Sequence, residues 1–192
     1  MNTLLVNNIL IFTIISLTLF SCSSKTDKLK NSEITTQSQK MNSKNFFDYD
    51  EIVYYFYNYD ESKLQELYDN QSKSEIDSIK MGVILGRIPK DSSNLSFIDK
   101  LEKIGYTKSA IDKSKFADID KIFVEKSVSE NVASACIYIY RDILIFKKRN
   151  NIIGTAKICF GCMDNQITGT TANTDNFGQD GDYERLENIL RK

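Results

Sequence analysis

The chain has 192 residues, with 25 Lys and Arg against 26 Asp and Glu, and it has no histidine. The near-balance argues against a broad basic surface for nucleic acid and leaves room only for a local patch. The lack of histidine removes Ser-His and Cys-His nucleophile pairs, imidazole metal ligands and the usual general base near neutral pH.

Length suggests one folded domain behind an N-terminal part of different character. Ile9 to Phe20 is apolar, and at about a dozen residues it falls short of the ~20 needed to span a bilayer. It suits the core of a secretory signal over residues 1–22. Leu19-Phe20-Ser21-Cys22 follows. This end resembles the lipobox of bacterial lipoproteins, in which the cysteine is diacylated and becomes the new N-terminus. Small Ser21 fits. Bulky Phe20 and the lack of Lys or Arg before the apolar run depart from the pattern. Cys22 is therefore the expected lipid-attachment residue, and two acyl chains tether more firmly than one. Residues 23–45 are polar and without period, and read as a flexible tether.

Residues 46–192 form the expected globular domain. Phe46 to Tyr59 is rich in aromatic and β-branched residues and predicts a strand with two covered faces. Its tyrosine row would suit sugars or peptides, but a packed strand explains it more simply. Asp60 to Asp69 predicts a short helix capped by Asp60, with Leu64, Leu67 and Tyr68 as its stripe. Ser74 to Met81 predicts another helical turn, and Gly82 to Pro89 a brief strand. Ser96 to Ile104 predicts a helix with Phe97, Leu101 and Ile104 inward and Gly105 as its stop. Ser114 to Glu125 predicts a helix with Phe116, Ile119, Ile122 and Phe123 on one face.

The strongest pattern is Ala135 to Cys162, two Ile-rich runs around Arg149-Asn150-Asn151. It predicts a β-hairpin at the centre of the domain. With Arg149-Asn150 as the turn, Asp142 lies opposite Lys157, a favourable pair. With Asn150-Asn151, both turn residues tolerate positive φ. In either register Ile137, Ile139, Ile143 and Ile145 share the expected core face with Ala156, Ile158, Phe160 and Cys162. Cys136 and Cys159 share the other face, too far apart to bridge. A regular hairpin thus joins Cys136 to neither of the others; only a bend at Gly161 brings Cys162 round.

Cys159-Phe-Gly-Cys162 has CxxC spacing. Three roles stand open for Cys136, Cys159 and Cys162: structural or disulfide-bonded, redox-active, or half of a metal site. No helix is legible after Cys162, and no second CxxC exists, so neither redox nor zinc chemistry has its usual frame. Asp164 to Asp182 reads as a long surface loop. Asn173 to Glu184 partly matches a calcium loop through Asp175, Gly178 and Glu184, but Asn173 and Phe177 depart from it. Asp182 to Arg191 predicts a final helix, capped by Asp182, with Tyr183, Leu186, Ile189 and Leu190 buried.

The predicted fold is α+β: a small antiparallel sheet centred on the C-terminal hairpin, with helices packed on one face. The LFSC leader, YRDILIFKK, ICFGC and FGQDGDYERL together resemble a group of uncharacterised membrane lipoproteins of Bacteroidota-type bacteria. That resemblance implies a bacterial cell-envelope location and supplies no activity, catalytic residue, metal or cofactor. The expected function is a lipid-anchored, non-catalytic binding or structural module. Its partners are the membrane, through the anchor, and a protein or small-molecule ligand, with no nucleic acid. The alternative is a thiol-disulfide redox protein using Cys159 and Cys162.

Overall fold

In the computed structural model, which describes residues 43–91, 93–127 and 136–191, the Tyr-rich stretch forms β1 (Glu51–Phe56). The signal and lipid-attachment readings, Cys22 included, lie outside the described residues, as does most of the tether. No helix among the described residues is long and apolar enough to cross a membrane. Lys44 and Asn45 already belong to the globular unit. The Lys44 carbonyl accepts from the Glu125 amide, and Asn45 bridges Val124.

β1 lies inside a five-stranded antiparallel sheet with β2 (Thr107–Ala110), β3 (Asp142–Lys148), β4 (Asn151–Cys159) and β5 (Asp164–Thr168), in the order β2-β1-β3-β4-β5. Among the described residues, four helices complete an α+β fold: α1 (Glu61–Asp69), α2 (Glu75–Ile84), α3 (Phe116–Asp120) and α4 (Asp182–Arg191).

The hairpin of β3 and β4 forms where expected. Arg149 and Asn150 make the turn with φ of 49° and 65°, as a tight hairpin twisted to match its strands requires. The Asp50 carboxylate holds the Arg149 amide at 3.0 Å. Two pairs beyond the turn, the register slips. Lys147 faces Ile152 but Phe146 faces Gly154, which leaves Ile153 as the extra residue of a bulge.

That slip overturns the expected facing of the hairpin. Leu144 and Phe146 share a face with Ala156 and Ile158. Ile143 and Ile145 lie on the other face, where Lys157 is directly opposite Ile143. Asp142 faces Ile158 instead of Lys157. Ile137, placed in the core by the regular pattern, is 78% exposed, because residues 136–141 precede the strand.

Both faces of the sheet are covered, so the helical cover is two-sided rather than one-sided. On the first face, Phe46, Phe47, Phe123 and Phe146 build an aromatic layer closed by Leu186 of α4 and Ile119 of α3. Phe47 stacks on Phe146 with centroids 4.2 Å apart. A Cβ at Gly154 would stand 2.1 Å from the Phe47 ring, so this close approach depends on glycine there. On the second face, Val83 and Ile84 of α2 pack with Leu101, Ile104 and Ile143.

α1 starts at the expected cap, Asp60, and α2 is capped by Ser74, the first residue of its predicted turn. None of α1 is buried, and Tyr68 of its predicted stripe is 53% exposed. α2 runs on through Ile84, so Gly82 to Ile84 are helical and not a strand. Gly86 ends it at φ +70°, with the Arg87 amide donating to the Gly82 carbonyl at 2.7 Å and Gly86 to Val83 at 3.2 Å. The β-branched run looked extended, but burial of this end decides for helix. Residues 98–100 form only a 3-10 turn in place of the expected helix, yet Phe97, Leu101 and Ile104 are buried as predicted. The helix expected over Ser114 to Glu125 shortens to α3, and Ile119, Ile122 and Phe123 still point inward. α4 spans the expected residues, with Tyr183 and Leu186 buried.

Candidate functional site

β4 ends at Cys159, and residues 160–163 turn the chain back into β5, with Met163 at φ +49°. The regular hairpin ran β4 on through Cys162. The turn takes its place and swings Cys162 off the strand line, which is the bend around Gly161 that the sequence required. Residues 137–141 run past this turn. The Tyr140 amide donates to the Ile84 carbonyl at 2.8 Å, and the Ile139 amide donates to Cys159 Sγ at 3.4 Å. Cys136 is thereby brought to Cys162, and the two form a disulfide with Cα atoms 5.8 Å apart.

The bond therefore joins Cys136 to Cys162 and does not close the CxxC. Cys159 is a free, buried thiol packed with Cys162 and Tyr140. The three sulfurs, expected with Cys136 and Cys159 far apart on one face and Cys162 on the other, gather at one end of the sheet. Tyr140 is fixed there by donating its hydroxyl to the Asp164 carboxylate, and burial followed by that carboxylate pushes its phenol well above the usual range.

The sulfurs border a recess of about 440 Å³ that Arg141, Asp142, Glu187 and Arg191 also line. Arg141 and Arg191 both lie over the Phe56 ring, at 5.2 and 4.7 Å from its centroid. Asp142 is buried beneath them. It accepts from the Tyr54 hydroxyl and from Arg191 Nη2, the latter at 3.2 Å. Arg191 also donates to Tyr54 Oη at 3.3 Å and to Glu187 at 3.2 Å. Burial raises the Asp142 carboxyl above its usual range, although Tyr54 and Arg191 pull it down. Tyr54 is pushed well up by burial and then by Asp142.

A second recess, of about 470 Å³, opens beside β5 between Thr155, Lys157, Gln166 and Thr168. Its buried cation is Lys157, which donates to the Val83 carbonyl at 3.3 Å and to the Ile88 carbonyl. The ammonium lies 5.1 Å from the Phe97 centroid, and no carboxylate among the described residues pairs with it. Burial lowers its pKa to about 8. The carbonyl end of α2 carries partial negative charge, so Lys157 caps that helix from across the sheet.

Neither buried ion is left without partners, and no buried side-chain nitrogen or oxygen among the described residues lacks one. Within the stretch of the partial calcium loop, Asn173 and Asp182 hold their side chains against protein partners. The Asn173 side chain accepts from the Asp175 amide, and Asp182 is buried against Lys126 and Arg185. No group of three or more Cys, Asp or Glu among the described residues is placed to hold a metal ion.

Sequence reasoning named the three cysteines but missed Asp142 and Lys157 as buried polar centres and Arg191 as the partner of Asp142. The spaced charges were visible; their faces were not. No family model, curated protein or solved structure matches the chain.

Proposed function

We propose that the protein is a lipid-anchored component of the bacterial cell envelope, whose globular unit is a non-catalytic binding or structural module. The Cys136–Cys162 disulfide carries this reading, because such bonds persist in oxidising compartments outside the cytosol. The signal-like leader ending in Cys22 agrees with it. The partnering of buried Asp142 and Lys157 supports a module that holds a shape. Radiolabelled palmitate supplied to cells is expected to label the wild-type chain, and Cys22→Ala is expected to lose the label and leave the membrane fraction. An unlabelled wild-type chain, or a labelled variant, refutes the anchor.

A second reading, thiol-disulfide exchange with an outside partner, is favoured by one observation. A free thiol, Cys159, shares a small buried cluster with a disulfide-bonded cysteine, Cys162. On this reading the purified protein exchanges with a small disulfide, and Cys159→Ser abolishes the exchange. Unchanged exchange in that variant rules Cys159 out.

A further inference from the structure

We infer that Cys159 and the Cys136–Cys162 bond form an internal exchange site, in which the disulfide migrates to Cys159–Cys162 and releases a solvent-facing thiol at Cys136. The inference deepens the second reading above by naming the attacking, central and leaving sulfurs.

Proximity sets the direction of attack. Cys159 and Cys162 share one buried cluster with Tyr140, and the two flank one turn at the spacing that small dithiol sites use. The turn between them is unobstructed on its outer side, where a side chain at Gly161 would meet nothing within 4 Å. Burial distinguishes the two end states. Cys159 and Cys162 are 4% and 5% exposed, whereas Cys136 is exposed. Migration of the bond thus turns a hidden thiol into an accessible one without unfolding the sheet.

The chemistry balances within the chain. The Cys159 thiolate attacks Cys162 Sγ, a Cys159–Cys162 bond forms, and the Cys136–Cys162 bond breaks. The bonding electron pair leaves on Cys136 Sγ, which takes up the proton that Cys159 gave away. One disulfide and one thiol exist before and after, so no oxidant or reductant is consumed. Arg141 and Arg191 line the recess that Cys136 borders together with Asp142 and Glu187, so the departing thiolate meets a recess of balanced charge. The liberated Cys136 thiol is then the group that meets a partner's disulfide.

The test uses the full chain carrying Cys22→Ser, so that three cysteines remain. The folded protein is held with iodoacetamide and no reductant, then denatured and digested without reduction, and label and bond are mapped by mass spectrometry. The expected product carries label on Cys136 and a Cys159–Cys162 bond, at a rate independent of protein concentration. Adding Cys159→Ser is expected to abolish labelling and leave Cys136–Cys162 intact. Label confined to Cys159, or no label while a denatured control is fully alkylated, overturns the proposal. A Cys136→Ser chain gives a second check that does not depend on the folding of the Cys159 variant. It is expected to form Cys159–Cys162 on oxidation with a small disulfide, and recovery of both as free thiols also overturns the proposal. Label on Cys136 with no turnover of outside disulfides supports the internal step and rejects only the reading that an outside partner is served.

Discussion

On one face of the sheet Asp142 is buried within reach of Tyr54 and Arg191; on the other Lys157 is buried with carbonyl oxygens and two aromatic rings around it. A regular hairpin would have set these two charges side by side. One extra residue, Ile153, separates them, because a slip of one residue sends a side chain through to the opposite face. Each ion then found a substitute partner from outside the hairpin. The carboxylate took a guanidinium from the last turn of α4, and the ammonium took the negative end of α2. Burial leaves both uncomfortable, raising the acid's pKa and lowering the base's. The bulge therefore ties each face to a different helix.

Four measurements probe this division. The aromatic face is expected to be the more sensitive, with Phe123 at its centre touching the rings of Phe46, Phe47, Phe146 and Phe177. Phe123→Ala should lower unfolding stability in urea by about 3–5 kcal/mol. A loss under about 1 kcal/mol would mean that this layer collapses around the gap and is not rigidly packed. Next is Gly154→Ala, which pushes a methyl into the Phe47 ring beside the bulge; a loss of about 1–3 kcal/mol is expected from overpacking. An unchanged midpoint would show that Phe47 moves aside freely.

Lys157 gives a pH signature. Its folded pKa, about 8, lies below its unfolded value, so between them the unfolded chain binds more protons. Stability from this group must therefore rise as pH climbs from about 8 towards 10, by on the order of 1–2 kcal/mol. Urea titrations at pH 7.5 and 9.5 should show that rise in the wild type relative to Lys157→Met. Parallel changes in the two proteins would mean that the ammonium is hydrated. The smallest effect is expected at Arg191. Removing one partner of a sealed ion pair costs about 3–5 kcal/mol. The Arg191 side chain is 32% exposed, so water replaces much of it and Arg191→Ala should lose only about 1 kcal/mol. A loss as large as the sealed case would show that the recess excludes water.

Much of this architecture is legible in the residues themselves. β1, the hairpin turn, the cap of α1 and the span of α4 follow from local chemistry. The misreadings share a cause, which is that a partner distant in sequence decides the outcome. Asp164 to Thr168 looks like loop because its residues favour turns, yet β4 pairs with it. Gly82 to Ile84 looks extended until the second core claims it as helix. The bulge left one local trace, a glycine within a strand pattern, which signals a bulge or a close approach; Gly154 proves to be beside both. At the site, the three cysteines are readable but their pairing is not. The pairing depends on ending β4 at Cys159, and β5 imposes that end. Arg191 was visible only as the last residue of the predicted final helix, because nothing local indicates that α4 delivers it to Asp142.

The outer strand β2 has a consequence for the protein in crowded solution. Its four residues, Thr-Lys-Ser-Ala, are all exposed, and Lys108 sits in the middle of the rim. A second molecule adding its own strand there would have to lay its backbone along a short, hydrophilic, positively charged ledge. The sheet thus discourages edge-to-edge ribbon growth at its own border, with no helix spent on covering it.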